Sequence, residues 1–548
     1  MGGGLLQLVA HGAQDAYLSG NPQITFWKGL FKRHTNFAME PFRVRLTGVP
    51  AWGNKQSVTL ARHADLLYST YLDVVLPAKD KSDKFIEWNN EQGRLGYNLL
   101  DYVELEIGGQ AIDRLYSEYL YLWDTLTSDA NKSYQLYQMV GGGGDSRRLD
   151  GGPMAVNLPV SSVSDSASGN GFYYGYRPPV SQGNVKATGR PSSSQVFRIP
   201  LPFSYTRNPG AALPLIALQY HEVKINILWN KWQFVTANFN GNQPPPPSTA
   251  TIYVDYIYLD VDERRRMAQE SHEYLIEQVQ FNEEKGLAAG ANRIDLTFNH
   301  PVKELIWVVQ PDRFTNCKIA DKKNNSIAEY GAPRPALQPT TTQQSGAIRT
   351  TAVLGGSSTG GPGRLTPFTY TYLDQSTWDT ATPSAFYEYN QTFTQPVFEQ
   401  RLQINGQDRL DTRGGDYYNL VQPFQHHSGT MKPAGFDTTA YVRVLAAAQI
   451  ANGTTAVTTT GATPDLIAAV PQSHRAIYTY SFALKPEENQ PSGTCNFSRI
   501  DTATIVMNMS GNYVVDENTD NVWNARVYAI NYNILRVMSG MAGLAYSN

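Results

Sequence analysis

Histidines, cysteines, glycine clusters and carboxylates are the residues through which this chain could do chemistry, and their spacing argues against each kind in turn. His272-Glu273 would open a zinc-protease motif, in which a second histidine follows the first by four positions on one helix face, but that position holds Ile276. His426 and His427 are adjacent, and neighbouring side chains in an extended strand point to opposite faces, so the two do not converge on one metal. Cys317 and Cys495 are the only cysteines, which leaves no disulfide framework and no thiolate cluster for zinc. The glycine clusters Gly141 to Gly144 and Gly355 to Gly363 lack the Gly-Lys-Ser/Thr that completes a phosphate cradle and read as flexible spacers. Glycoside hydrolysis on a β-sandwich needs two carboxylates facing one another across a cleft, and nothing singles out a pair among the 48 acids. No catalytic residue, cofactor-binding residue or metal ligand is therefore expected. The densest basic run, Arg264, Arg265 and Arg266, is preceded by Asp260, Asp262 and Glu263 and followed by Glu270 and Glu273, which points to ion pairing at a junction or subunit interface. Six glycosylation sequons occur, at Asn131, Asn324, Asn390, Asn452, Asn496 and Asn508; Asn390 and Asn452 lie near loop insertions and are the exposed candidates.

The elements that must position these residues are mostly strands. Length first: 548 residues exceed what one hydrophobic core usually supports, so two domains are expected. A hydrophobic content of 41%, with 33 Tyr, 45 Gly and 32 Pro, suits pleated surfaces punctuated by turns, and the chain reads as all-β with a few short helices. Two segments nearly 300 residues apart repeat one another, LEIGGQAIDR from Leu105 and LQINGQDRLD from Leu402. In each, a short alternating strand runs into Gly108-Gly109 or Asn405-Gly406, dipeptides that accept the positive φ of a two-residue hairpin turn. The repeat implies duplicated domains. Residues 1–25 read as an arm, with Leu5, Leu6 and Leu8 offered to a neighbour and Phe26-Trp27 opening the folded body; 26–262 form the first domain, 263–277 a charged, helix-compatible connector, and 278–548 the second domain. Ile112 to Leu126 has apolar residues at helical spacing and is the best helix in the first half. Long Gly-, Ser-, Thr- and Pro-rich insertions fall at Met139 to Gln195, Pro335 to Gly363 and Ala446 to Ala469. An MG start raises N-myristoylation, but position six is Leu6 and not Ser or Thr. A net charge of −3 supplies no global field for nucleic acid, so direct nucleic-acid binding is not expected. No apolar run approaches a membrane span and no signal peptide opens the chain; a soluble protein folded in a reducing cytosol is expected.

Longer blocks carry a resemblance. The arm GLLQLVAHGAQDAYLSGNPQITFWKGLFKRHTNFAMEPF, the pair LEIGGQAID and LPLIALQYHEVKI, VDYIYLDVDERRRMAQ with HEYLIEQ, LQINGQDR, YSFALKPEENQPSGTCNFSRID and the ending NYNILRVMSGMAGLAY together resemble the major capsid proteins of large nucleocytoplasmic DNA viruses, in particular those of algal viruses. The resemblance implies a double jelly roll: two eight-stranded antiparallel sandwiches in tandem with long loop insertions. It also implies a homotrimer whose six jelly rolls give a pseudo-hexagonal capsomer, tiling an icosahedral shell beside neighbouring capsomers. The arm, with Leu5, Leu6, Leu8 and Phe26 as its contacts, would lie on the inner side towards minor capsid proteins and an internal viral membrane that the chain does not span. The protein would be made in the host cytoplasm, reside in the virion capsid and carry no cofactor. An alternative of another class is a jelly-roll carbohydrate-binding or host-attachment protein, using Tyr173, Tyr174 and Tyr176 to stack on sugars.

Overall fold

The structure is a computed structural model, and it describes residues 7–27, 31–77, 95–129, 195–236, 243–288, 290–311, 396–408, 411–429, 476–509 and 523–546, with a few short pieces between 4 and 142. Among the described residues, sixteen principal strands form two sandwiches of like topology. The first comprises β1 (Phe37–Arg45), β2 (Lys55–Leu60), β3 (Leu66–Leu76), β4 (Leu100–Ile107), β5 (Gln110–Tyr116), β6 (Gln195–Pro200), β7 (Val223–Trp229) and β8 (Thr249–Leu259). The second comprises β9 (His272–Leu287), β10 (Gly290–Asp295), β11 (Pro301–Pro311), β12 (Val397–Ile404), β13 (Gln407–Asp408), β14 (Ile477–Ser481), β15 (Ala503–Met509) and β16 (Trp523–Met538). Sheet orders are β1-β8-β3-β6 and β2-β7-β4-β5 in the first, and β9-β16-β11-β14 and β10-β15-β12-β13 in the second. Each strand thus has its counterpart eight places later, and the paired orders are those of a jelly roll.

Local sequence explains the strands. In β2, KQSVTL alternates exposed and buried positions, and in β3 Leu67, Leu72, Val74 and Leu76 all turn inward. Period-two burial of this kind sets which face meets the core, each buried aliphatic side chain contributing about 1.5–3 kcal/mol. The middle strand β16 is different, being buried on both faces over its first eleven residues. One face belongs to the core of its own roll; Arg526 and Tyr528, on the other, reach the first roll.

The duplicated hairpins occupy corresponding places. Ile107 pairs with Gln110 and Ile404 with Gln407, and the residues between them hold φ 59° (Gly108), 86° (Gly109), 52° (Asn405) and 71° (Gly406). Each turn is tied to the residue that precedes the next strand of its sheet: Gly108 N donates to Glu222 O at 2.9 Å and Asn405 N to Thr502 O at 2.7 Å. A Cβ on Gly108 would lie 2.3 Å from His221 Nδ1, while one on Gly109 would meet nothing within 4 Å. Gly108→Ala is therefore expected to lower stability by roughly twice the 1–2 kcal/mol of left-handed strain that Gly109→Ala incurs. Thermal denaturation of both variants checks this, and equal shifts in Tm would refute the His221 contact as the cause.

Two expectations need correction. Ile112 to Leu126 is not one helix: IDRLY belongs to β5, and the helix α1 spans Ser117–Thr127. The hairpin ladder with β4 satisfies those backbone groups and overrides helical spacing. The connector is likewise split, with α2 at Val261–Gln269 and residues from His272 onward already in β9. The chain closes in a further strand, β17 (Met541–Leu544), which pairs back onto β16 through a turn at Ser539 and Gly540.

Candidate assembly surfaces

The two rolls meet through buried charge. Glu118, in the first turn of α1 where a carboxylate also complements the helix dipole, accepts two bonds from Arg526 of β16, Nε to Oε2 at 2.6 Å and Nη2 to Oε1 at 2.7 Å. Tyr528 Oη donates to the same carboxylate at 2.7 Å, and Gln310 Oε1 takes a further Arg526 bond at 2.8 Å. A second cluster centres on Glu277 of β9. Its Oε2 accepts from Arg207 of the first roll at 2.5 Å, its Oε1 from Lys303 of β11 at 2.6 Å, and its backbone N donates to Ser204 Oγ at 3.0 Å. Burial depresses the Lys303 ammonium below its ordinary range, with Glu277 working the other way. Asp113 completes the seam. Its Oδ1 accepts from Val279 N at 3.0 Å and Arg114 N at 2.9 Å, and full burial pushes its carboxyl up to about 7 against those bonds. Between these clusters the rings of Tyr116, Tyr119, Phe281 and Tyr528 pack with centroids 4.8–6.1 Å apart.

A third tie lies at His427, which its sequence neighbourhood marks only as structural or surface. The imidazole is 1% exposed, with Nε2 2.5 Å from Glu304 Oε1, off the hydrogen-bond line, and Nδ1 3.0 Å from Glu487 Oε1. Burial alone would lower its pKa, but the two carboxylates outweigh it and hold the ring protonated up to about 10. Ser428 Oγ bonds Glu487 Oε2 at 2.5 Å, and the segment reaches α1 through Gly429 N to Leu126 O at 2.7 Å. Serine and imidazole thus lean on one carboxylate, and neither ring nitrogen is free to take a proton from the hydroxyl. This is no nucleophile–base relay. Among the described residues no three His, Cys, Asp or Glu gather as a metal site, and no helix is long and apolar enough to cross a membrane.

Register sorts the rest of the surface into two ends. Leu76 pairs with Gln195, Val75 with Thr249, Arg45 with Thr251, Val308 with Ile477, and both Leu287 and Pro311 with Trp523. The chain therefore leaves for, and returns from, its long connections at one end of each roll. At the opposite end Phe37 pairs with Leu259, which places the entry of the arm beside α2. Leu8, Phe26, Trp27 and Phe31 are more than four-fifths exposed there, and regular structure of the first roll begins only at Phe37. Leu5 and Leu6 lie outside the described residues, as do Asn390, Asn452, Tyr173, Tyr174 and Tyr176. The three arginines of α2 are all exposed but do not act together: Arg264 Nε bonds the buried Asp65 at 2.8 Å, Arg266 pairs with Glu270 at 3.1 Å, and Arg265 has no bond or ion pair among the described residues. Sequence spacing could not reveal the seam, since Glu118 and Arg526 are 408 residues apart.

Comparison with known proteins fits this architecture. The family described as major capsid protein N-terminus matches residues 25–260, and that described as large eukaryotic DNA virus major capsid protein matches 263–448 and 462–543. The chain is 38% identical over 549 residues to the major capsid protein of Pyramimonas orientalis virus and 36% over 598 residues to that of Phaeocystis pouchetii virus, with 100% of each chain covered. Among solved structures, a chain of the quasi-atomic PBCV-1 virus capsid superposes with a TM-score of 0.60 at 30% identity, covering 96% of this chain and 100% of that one. Duplicated jelly rolls, a charged seam locking them into one unit, and full-length similarity together place the molecule: the chain belongs to the large eukaryotic DNA virus major capsid protein family and is a structural protein of the virion capsid.

Proposed function

We propose that three copies associate into a pseudo-hexagonal capsomer, and that such capsomers tile an icosahedral shell around double-stranded DNA. The observation that carries this reading is the seam: buried ion pairs and a ring cluster make two jelly rolls one block, so three blocks supply six similar walls around a threefold axis. The division is then an arm of residues 1–25, a first roll that runs from 26 to the end of β8, a connector formed by α2, and a second roll that begins with β9 at His272. The arm end faces inward, towards minor capsid proteins and an internal membrane, and the end bearing the long connections faces out. Arg265, the α2 arginine without a partner among the described residues, is available to a neighbouring subunit. Asn390 and Asn452, in the outward connections, are where sugar would be carried. The protein is made in the host cytoplasm, has no enzymatic role and does not touch the genome. Among the described residues the attachment-protein alternative has no observation in its favour.

Light scattering on the purified chain tests the proposal. A mass near three times 60.8 kDa is expected, and a monomer that persists at high micromolar concentration would rule out unaided trimerisation.

A further inference from the structure

Between Asp15 and Glu40 the chain contains no acidic residue, while Lys28, Lys32 and Arg33 give it three fixed positive charges, with His34 beside them. Within this stretch Ile24, Phe26, Trp27 and Phe31 are exposed, the last three almost entirely. Large apolar side chains left in water so close together mark a surface made for a partner. The intermixing of Trp and Phe with Lys and Arg is the chemistry of the bilayer interface, where aromatic rings settle at headgroup level and long cationic side chains reach the phosphates. A second copy of this end of the molecule is a poorer occupant. Several of the acids beside the arm's entry are already engaged, Asp65 by Arg264, Glu270 by Arg266 and Glu273 by Arg536, which leaves fewer to meet the arm's cations.

We propose that residues 24–34 dock on an anionic phospholipid surface, inserting Phe26, Trp27 and Phe31 at the interface while Lys28, Lys32 and Arg33 pair with headgroups. The segment is too short and too charged to span. In the virion this contact rests on the inward placement of the arm end, but the contact itself needs no shell.

The experiment is co-sedimentation of the full chain with vesicles of phosphatidylcholine alone or with about a third phosphatidylserine, at low and high salt. Binding is expected only to the anionic vesicles and should fade with salt. Lys28→Glu/Lys32→Glu/Arg33→Glu should weaken it on the order of 100-fold, since each cation near such a surface is worth about a factor of five. Trp27→Ala/Phe31→Ala should weaken it more than about tenfold. Trp27, Phe31, Lys32 and Arg33 are exposed, so both variants should keep the solution mass and circular dichroism of the parent. Equal binding to both vesicles, or binding that neither variant alters, would overturn the inference. So would vesicle-independent self-association abolished by the same substitutions, which would identify a second copy as the occupant. Loss of vesicle binding with the trimer mass retained leaves the capsomer reading standing, so the two ideas fail separately.

Discussion

Glu277→Ala is expected to cost about 3–5 kcal/mol, the magnitude associated with breaking a buried ion pair by removing one partner. Among the described residues Glu277 is the only carboxylate bonded to Lys303, whose side chain is 2% exposed, and it is also the inter-roll partner of Arg207. Deleting it strands one cation in the interior and leaves another at the seam with Pro202 O, Tyr119 Oη and the face of the Trp123 ring. Glu273→Ala is the control: its bond to Arg536 joins side chains 58% and 48% exposed, and such a pair is worth about 0–1 kcal/mol. Glu277→Gln combined with Lys303→Met keeps an acceptor for Arg207 and removes the buried ammonium, and should recover most of the loss. Urea denaturation followed by tryptophan fluorescence measures all three. Because Arg207 lies in the first roll and Lys303 in the second, Glu277→Ala should also split a single transition into two. Equal costs for Glu277→Ala and Glu273→Ala would show that the seam does not depend on buried charge.

His427→Ala should be comparably destabilising, about 3–5 kcal/mol, because it leaves the 3%-exposed side chain of Glu304 as an uncompensated buried charge. It should also change the pH dependence. The folded-state pKa of about 10 lies above the ordinary 6.5, so protonation favours the folded state. The contribution is complete below about 6.5 and is lost as pH rises through about 10. Asp113, raised by burial from 3.8 to about 7, adds a loss of its own between those values in parent and variant alike. The difference in stability between the two proteins therefore isolates His427: it should be constant in mild acid and shrink steadily towards pH 10. Thermal unfolding across that range measures it, and a difference independent of pH would mean that the ring acts by packing and not by charge.

Strands with clean alternation were legible from composition and period, as in β2 and β3, because one face meets a core and the other meets water. The dipeptides Gly108-Gly109 and Asn405-Gly406 announce tight turns for a similarly local reason: positive φ is a property of the residue and needs no partner. Boundaries were less legible. Ile112 to Tyr116 carries helical spacing, yet the hairpin that brings it against β4 offers a backbone ladder, and that ladder prevails. The short final strand from Met541 carries no alternation of its own to announce it; pairing with β16 supplies what the side chains do not.

The candidate surfaces divide along the same line. Leu8 and Phe26 are exposed in the arm, since a segment without periodicity has no core to enter. Arg264 to Arg266 read as one basic cluster, but folding gives each a different fate by placing Asp65 and Glu270 within reach of two of them. Nothing local distinguishes Glu118, Asp113, Glu277, Lys303, Glu304, His427 or Arg526 from other charged residues of the chain. By itself the sequence determined the all-β class, the duplication and the family, which rest on period, turn chemistry and blocks of similarity along the whole length. Only the tertiary structure decided which charges are buried and with whom, because burial and pairing are properties of two surfaces brought together, and the partners stand up to 410 residues apart in the chain.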